Sequence, residues 1–452
     1  MSKLELKSFA DAPIEIIDGD RGVNYPQKSD FFEDGYCLFL NTGNVTDKGF
    51  SFSSASFITA EKDSKLRKGK LKRGDIVLTT RGTVGNVAYY DASVPYENVR
   101  INSGMVILRV TSPEIFPYYL YLFLRSNLFK TQVLSHGSGS AQPQLPIGSL
   151  RNIVIPWHDK LRQNKIASVL SGLDSKIGLN NRINAELEAM AKTIYDYWFV
   201  QFDFSDRKGK PYKANGGKMV WSEELKREIP EGWESGTLSN IATLVRGVTY
   251  SARDIKDKND KNIIPILRAT NISGNVVDLQ NMVYVPKEFV DEKQLLKQFD
   301  ILITMSSGSM DHIGKNGFYY FDEKVGFGAF CAKIVAKENY RFYLYSYTQS
   351  NFMFTTIKNE CLGTNINNLN GSLVNGFKLP IPPGDLIDKF NLKVDSVFNK
   401  IGINQKENQK LTEFRDWLLP MLMNGQIKIK EAEREMAMAA EPEVSYRKLK
   451  KL

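Results

Sequence analysis

The side chains best suited to chemistry in this sequence are hydrogen-bond donors in short, glycine-containing loops. The loop Thr80-Arg-Gly-Thr-Val-Gly-Asn86 follows an apolar run and combines arginine, threonine and asparagine with two glycines. Arginine can donate two hydrogen bonds to guanine, asparagine can pair with adenine, and glycine lets the backbone approach phosphate. This combination favours recognition of DNA.

Similar donors recur in loops of both halves of the chain, and they form the predicted DNA-binding set. The set is Arg21, Arg81, Thr83, Asn86, Ser138, Ser140 and Gln142 in the first half, with Arg246, Arg268, Asn271, Ser307, Ser309, Lys315, Thr364 and Asn365 in the second. Taken singly, each residue is better explained by a turn or a capped loop than by a base contact. Their occurrence at equivalent places in both halves favours DNA.

Motifs for catalysis are missing from the sequence. Gly308–Asn316 resembles a phosphate-binding loop, but five residues separate its glycines where the motif has four, and it ends in asparagine instead of serine or threonine. The three histidines lie far apart, without cysteine or histidine at metal-ligand spacing. No glycine-rich S-adenosylmethionine loop is recognisable. We therefore expect a chain that is not an enzyme and that binds no metal or cofactor.

Composition sets broad limits on the class of protein. The chain has 452 residues, enough for about three domains, and a net charge of +9 that mildly favours a polyanionic partner. Three scattered cysteines fit a reducing compartment. The N-terminus has no apolar core typical of a signal peptide, and the most apolar stretch, Phe116–Phe129, is short and contains Arg125. We expect a cytoplasmic protein with no membrane partner.

Two long helical stretches must position the loops. Leu161–Val200 and Leu386–Asn424 carry the same heptad pattern, displaced by 224 positions, with paired asparagines at the same two steps. A repeat of 3.5 residues is what two helices need to wind around each other, and polar seam residues fix their register. The alternative is two ordinary amphipathic helices, each packed on its own domain. The predicted seam is Ile177, Asn180, Asn184, Leu187, Ile194 and Trp198 with Ile401, Asn404, Asn408, Leu411, Leu418 and Leu422.

A near-constant displacement also relates the segments before these helices, which indicates an internal duplication. Leu71–Thr79 matches Leu296–Thr304 at 225 positions, and Pro156 matches Pro380 at 224. Residues 10–70 and 235–295 share little that can be aligned, as expected for two sites that read different targets or for simple drift. In the first half we predict strands at Asp75–Thr79, Val84–Tyr90 and Met105–Val110, and one helix over Pro113–Leu134.

The predicted fold class is α+β: two α/β domains related by an internal repeat, and two long helices that form a coiled coil. The predicted limits are 1–156 for the first domain, 157–202 for the central helix, 203–228 for a linker, 229–383 for the second domain, 384–429 for the C-terminal helix and 430–452 for a tail.

With this layout, the sequence resembles the specificity subunit of type I restriction–modification systems. The resemblance is carried by Ile229-Pro-Glu-Gly-Trp233, by the proline-containing segments near 156 and 380, and by the Lys-Ile-Gly-Xaa-Asn runs at 176 and 400. It covers the chain up to about residue 429. The first domain lacks the Pro-Xaa-Gly-Trp start and has Asp18-Gly-Asp-Arg-Gly22 instead.

The resemblance implies a division of labour. Each α/β domain would be a target-recognition domain that reads one half of a split site in double-stranded DNA. The two long helices would pack antiparallel as a coiled-coil spacer, which makes the internal repeat pseudo-twofold. They would set the spacing and dock two methyltransferase subunits, through which the restriction subunits join. Adenine-specific methylation and cleavage, with S-adenosylmethionine, ATP and Mg²⁺, would belong to those partners.

Two other functions stay open. A stand-alone DNA methyltransferase or endonuclease would turn over DNA without partners. A coiled-coil scaffold that does not bind DNA would assemble without the salt dependence that phosphate contacts produce.

Overall fold

The structure is a computed structural model that describes residues 4–46, 49–136, 144–206, 208–308, 310–337, 339–362, 368–429, 431–432 and 434. The chain divides into two compact units, residues 1–175 with 411–452 (unit 1) and residues 176–410 (unit 2). Both long helices begin in one unit and end in the other. The predicted domain limits therefore stay predictions, because the units divide within the helices.

The strands of unit 1 are β1 (Glu5–Ser8), β2 (Ile14–Asp18), β3 (Cys37–Leu40), β4 (Val45–Thr46), β5 (Gly49–Phe50), β6 (Phe57–Ile58), β7 (Ile76–Thr79), β8 (Val87–Tyr89), β9 (Val99–Ile101), β10 (Met105–Val110) and β11 (Val154–Trp157). They form a four-stranded antiparallel sheet in the order β2-β10-β7-β8 and a three-stranded sheet in the order β6-β3-β9, together with the pairs β4–β5 and β1–β11. The short helices of unit 1 are α1 (Ala60–Lys65), α2 (Pro117–Arg125), α3 (Asn127–His136) and α4 (Ile147–Arg151).

The long helices are continuous, as predicted. They are α5 (Lys160–Tyr195), which ends in a π turn at Asp196–Val200, and α10 (Gly384–Met423). Each runs beside the other in opposite directions within each unit. In unit 1, His158 Nε2 lies 2.7 Å from the carbonyl oxygen of Met423, and Arg415 Nη1 donates to Asp174 Oδ1 at 2.9 Å.

The strands of unit 2 are β12 (Met219–Ser222), β13 (Arg227–Pro230), β14 (Glu234–Thr237), β15 (Ala242–Arg246), β16 (Ile263–Leu267), β17 (Ile272–Ser273), β18 (Val276–Val277), β19 (Val283–Pro286), β20 (Ile301–Thr304), β21 (Asn316–Phe318), β22 (Gly326–Phe327), β23 (Cys331–Ala336) and β24 (Lys378–Ile381). They form a six-stranded sheet in the order β15-β23-β20-β21-β18-β17 and a three-stranded sheet in the order β19-β16-β22, together with the pairs β12–β13 and β14–β24. The short helices of unit 2 are α6 (Leu238–Ile241), α7 (Arg341–Thr348), α8 (Asn351–Leu362) and α9 (Gly371–Asn375).

The internal repeat is confirmed, and it is more complete than the sequence indicates. The core order β2-β10-β7-β8 of unit 1 returns as β15-β23-β20-β21 in unit 2, and the antiparallel pair β1–β11 returns as β14–β24. Residues 10–70 and 235–295, which cannot be aligned by sequence, contain equivalent strands. Asn44 and Asn271 occupy equivalent positions in this region. Each is the buried last residue of a three-residue 3-10 helix and donates its side-chain amide to two backbone carbonyls.

Two local predictions need correction or comment. The single helix predicted over Pro113–Leu134 is wrong, because the helix breaks at Ser126 into α2 and α3. The Ser126 hydroxyl donates to the carbonyl of Phe123 at 2.6 Å and accepts from the N–H of Phe129 at 3.3 Å, which ends one helix and caps the next. Residues 203–228, predicted as a linker, include β12 and part of β13.

No helix within the described ranges is long and apolar enough to span a membrane.

Candidate nucleic-acid interface

In unit 1, several loops meet at one end of the central sheet around the turn Asn102–Met105. The backbone N–H groups of Thr80 and Arg81 donate to the carbonyl of Gly104 at 2.9 and 3.1 Å. From the other side, Arg21 Nη2 donates to the carbonyl of Ser103 at 3.3 Å. The fold thus brings together Arg21 and Arg81, which are distant in sequence. Both side chains are exposed.

The loop between β7 and β8 presents some of its predicted donors and uses another internally. Gly82 and Gly85 have φ values of 71° and 94°, a conformation that side-chain-bearing residues rarely adopt. Arg81 and Thr83 are exposed on this loop. The Asn86 amide donates instead to the carbonyl of Val45 at 3.0 Å, which fastens the loop to β4. A base contact by Asn86 would require that bond to break.

Unit 2 builds the same end of the sheet from the same backbone contacts. The N–H groups of Met305 and Ser306 donate to the carbonyl of Phe330 at 2.8 and 3.2 Å, so Phe330 stands where Gly104 stands in unit 1. A close approach recurs as well. A Cβ on Gly19 would lie 2.3 Å from the carbonyl oxygen of Asn102, and one on Gly247 would lie 2.2 Å from that of Gly328. Glycine is therefore required at both positions.

The predicted donors of unit 2 differ in their exposure and in their hydrogen bonds. Arg246 and Arg268 are exposed, and Arg268 Nη2 donates to the carbonyl of Asn281 at 3.0 Å. Lys315 is half-buried, with Nζ 3.5 Å from His312 Nδ1, and Ser307 is half-buried. Asn271 is 3% exposed, and its amide bonds give it a structural task that argues against the predicted base contact.

Six predicted donors cannot be placed. They lie outside the described residues, and their roles stay predictions: Ser138, Ser140, Gln142, Ser309, Thr364 and Asn365.

A buried carboxylate, that of Asp20, holds two basic side chains beside the interface of unit 1. Burial raises the pKa of the Asp20 carboxyl group, but backbone N–H donors, including that of Arg67 at 2.7 Å, outweigh it and lower the pKa. Charged Asp20 therefore fixes the segment that carries the exposed Arg67 and Lys68 next to the Arg21 turn. The counterparts in unit 2 are Glu292 and Lys293, so this flank carries less positive charge there.

Sequence reasoning missed two parts of the interface, the turn at Asn102–Gly104 and the exposed side chain of Phe330. For the run Lys65–Arg73 it leaves two interpretations open, phosphate contacts or a solvated basic hairpin. A run of basic residues from Lys65 to Arg73 is visible in the sequence, but only the fold places it beside Arg21. In the described part of the chain, no group of three or more histidine, cysteine, aspartate or glutamate side chains could hold a metal ion. The expectation that the chain binds no cofactor stays a prediction.

The predicted seam between the long helices contains paired asparagines. In unit 2, Asn180 Nδ2 donates to Asn408 Oδ1 at 2.9 Å, and Asn404 Nδ2 donates to Asn184 Oδ1 at 2.8 Å. These two contacts show that α5 and α10 are antiparallel in unit 2. The other seam positions are buried or half-buried: Ile177, Leu187, Ile194, Trp198, Ile401, Leu411, Leu418 and Leu422.

Comparison with known proteins agrees with this architecture. The family model of the type I restriction modification DNA specificity domain matches residues 15–189 and 230–413. The specificity subunit of the type I restriction enzyme MjaIX from Methanocaldococcus jannaschii is 26% identical over 403 residues, which are 87% of this chain and 84% of the relative. That of the HindI enzyme from Haemophilus influenzae is 24% identical over 466 residues, 90% of this chain and 98% of the relative.

Among solved structures, the S subunit of a type I restriction–modification system from M. genitalium covers 94% of this chain and 97% of its own, with 16% identity and a TM-score of 0.48. The family predicted from sequence motifs is confirmed, and with it a specificity role in place of a catalytic one. Because one copy of the domain matches in each half and the two matches together span most of the sequence, the protein belongs to the type I restriction–modification DNA specificity subunit family.

Proposed function

We propose that each half of this chain reads one part of a bipartite site in double-stranded DNA for a type I restriction–modification complex. The observation that carries the proposal is a shared backbone frame with different side chains at the same end of each sheet. Arg81 is replaced by Ser306 and Gly104 by Phe330, while the hydrogen bonds that hold the frame are kept. Two domains that bind different base sequences need the same backbone frame with different surface side chains.

Methylation and cleavage are assigned to partner subunits, which would also bind S-adenosylmethionine, ATP and Mg²⁺. We place two methyltransferase subunits on the long helices, and the restriction subunits on the methyltransferases. A pair of exposed apolar side chains supports this docking. Leu179 on α5 is 44% exposed, and Ile403, its counterpart 224 positions later on α10, is 59% exposed. Equivalent apolar positions on two helices suit two copies of one partner.

The test of the reading function is a methylation map of DNA from cells that contain the chain and its methyltransferase partner. We expect methylation at a split sequence, and exchange of residues 1–156 for another recognition domain should change one half of that sequence only. A control exchange of residues 229–383 should change the other half. Methylation without sequence preference, or turnover of DNA by the purified chain alone, would overturn the proposal.

The docking surface has its own test. Leu179→Asp and Ile403→Asp should each remove one methyltransferase subunit from the complex, and the double variant should remove both, as measured by native mass spectrometry. Both side chains are exposed, so the variants should fold. Leu134→Asp, at a side chain that is 82% exposed on α3, is the matched control and should leave the complex whole. Retention of both methyltransferase subunits by the double variant would contradict the docking.

The spacing role is tested by shortening both helices together. The segments 177–183 and 405–411 face each other, since Asn180 pairs with Asn408. Deleting both removes one heptad, about 10.5 Å of helix, and keeps the seam in phase. Because the deletion removes Leu179 and moves Glu186 to its heptad position, Glu186→Leu is added to keep the proposed docking side chain. If the helices set the spacing, the gap between the two half-sites should shorten by about three base pairs. An unchanged gap would contradict that role.

A further inference from the structure

One side chain at the proposed reading end of unit 2 differs in kind from its neighbours. Phe330 is 69% exposed and occupies the turn Gly328–Cys331 between β22 and β23. Single exposed apolar side chains are common and need no special explanation. What distinguishes Phe330 is its location in the loop cluster that we propose to contact DNA, and how firmly its backbone is held.

The turn is fixed on both sides by backbone hydrogen bonds. The N–H of Cys331 donates to the carbonyl of Gly328 at 2.8 Å and closes the turn, and the N–H of Ala329 donates to the carbonyl of Val248 at 2.9 Å. The carbonyl of Phe330 itself accepts from Met305 and Ser306. The ring therefore projects from a rigid base, which limits the backbone entropy lost when it contacts a partner.

The matching position in unit 1 shows that the ring is not required to build the turn. Gly104 occupies that position, and a Cβ placed there would lie 2.8 Å from Thr42 Cγ2. In unit 2 the counterpart of Thr42 is Ala269, which is smaller. At these two positions unit 1 therefore has threonine and glycine, whereas unit 2 has alanine and phenylalanine on the same backbone frame. Unit 2 has an outward apolar group where unit 1 has none.

We propose that Phe330 reads thymine in the half-site of the second domain by packing against the C5-methyl group in the major groove. This inference rests on the proposed function. An apolar side chain is the chemical complement of that methyl group, which is the one apolar feature that the major-groove edge of a base pair offers. The exposed guanidinium group of Arg268 lies at the same end of the unit. The Phe330 ring is therefore close to a group that can bind phosphate or guanine.

The test uses the full chain in complex with its methyltransferase partner and a duplex that carries the mapped site. Thymines of the second half-site are replaced one at a time by deoxyuridine, which removes only the methyl group, and affinity is measured by fluorescence anisotropy. For the wild type, one replacement should weaken binding about fourfold, the effect of one buried methyl group. Phe330→Ala should weaken binding to the thymine duplex by a similar factor and should lose sensitivity to that replacement.

Phe330→Leu, which keeps an apolar group, should retain part of the sensitivity to deoxyuridine. The matched control is Phe352→Ala, because Phe352 is another exposed phenylalanine of the same unit, 59% exposed on α8. It should leave affinity unchanged. Equal thermal melting of all variants would show that they fold.

Three outcomes would overturn the inference while leaving the proposed function intact, provided that the wild type still selects its site. They are an unchanged affinity of Phe330→Ala, a persistent cost of deoxyuridine in that variant, and a uniform loss on all duplexes with altered DNA bending, which would indicate a wedge between base steps. Failure of the wild type to select any sequence would instead reject the proposed function.

Discussion

The two places where a recognition domain packs on the long helices have the same geometry and different chemistry. In unit 1, α2 meets the helices through an ionic cluster around Asp174. This carboxylate accepts hydrogen bonds from the hydroxyl of Tyr118 at 2.9 Å, from Arg125 Nη1 at 3.1 Å and from Arg415 Nη1 at 2.9 Å. We call this the polar joint.

In unit 2 the counterpart of Asp174 is Phe398, and the contact is aromatic. Its ring stacks on Phe342 with centroids 4.8 Å apart, and it meets Tyr345 and Phe318 edge-on at 5.6 and 5.7 Å. Phe342 in turn is the counterpart of Tyr118. We call this the aromatic joint.

One hydrogen bond is common to both joints. The hydroxyl of Tyr119 donates to the carbonyl of Pro156 at 2.8 Å, and the hydroxyl of Tyr343 donates to the carbonyl of Pro380. A buried carbonyl next to a helix start needs a donor, so this contact resists change. The side chains around this hydrogen bond do not have to satisfy a buried carbonyl group, and they differ between the two joints. The comparison teaches that the position of α2 and α7 is specified by the backbone, whereas the sensitivity of each joint to conditions is specified by its side chains.

The largest effect should come from removing the centre of the aromatic joint. Phe398 is 2% exposed, and Phe398→Ala should destabilise unit 2 locally by about 4 kcal/mol through lost burial and a cavity. We expect faster hydrogen exchange in the peptide that covers α7 and no change in α2, measured by mass spectrometry. Equal acceleration in both helices would show that the joints are not independent.

Asp174→Asn should destabilise the polar joint by about 3 kcal/mol, because Arg125 would stay inside without a carboxylate and Arg415 would keep only the exposed Asp416. The hydrogen-exchange pattern should be the reverse of the previous one, with α2 affected and α7 unaffected. Asp395→Asn is the matched control. Its partner Arg341 lies 3.0 Å away, but the two side chains are 43% and 46% exposed, so the loss should stay below about 1 kcal/mol. A similar response to both substitutions would contradict the special weight given to Asp174.

Acidification should give the smallest effect and should act on the polar joint before the aromatic joint. Burial lowers the pKa of His158 below its ordinary value of 6.5, so the neutral ring contributes stability above that value and loses it as the pH falls through the folded pKa. Burial raises the pKa of Asp174, but Arg125 and Arg415 outweigh it and lower the pKa, so its contribution disappears only at more acidic pH. The counterpart of His158 is Pro382, and that of Asp174 is Phe398, and neither titrates.

The titration can be followed by NMR, because the chain has only three histidines. The signal of His158 should titrate below the ordinary histidine range, and hydrogen exchange in α2 should increase over the same interval after correction for the intrinsic rate. His158→Gln is the control and should abolish the first step. Faster hydrogen exchange in α7 at the same pH would contradict the proposed difference between the two joints.

Sequence reasoning succeeded where a pattern extends over many residues. The heptad phase of α5 and α10 predicts the two helices and their asparagine-containing seam, because a long amphipathic period is set by packing. The antiparallel direction is implied by the family resemblance. The predicted strands Asp75–Thr79 and Met105–Val110 correspond to β7 and β10, since a run of buried β-branched residues is a strong signal.

Sequence reasoning failed where one side chain or a few residues decide the structure. The strands within residues 10–70 and 235–295 are two to five residues long, and such strands retain too little pattern to be aligned. Ser126 splits a helix through its hydroxyl, although the surrounding apolar pattern continues. Asn271 shows the limit for the site, because asparagine suits both a base contact and an internal turn, and only burial separates the two roles.

The asparagine contacts of the seam have a consequence for the history of the chain. Asn180 bonds to the repeat counterpart of Asn184, and Asn184 bonds to the repeat counterpart of Asn180. Such reciprocal contacts are those that two identical helices make when they lie antiparallel about a twofold axis. A single-copy ancestor could therefore have formed them with a second molecule of itself, and fusion of the two genes would have preserved the contacts while freeing each domain to change its target.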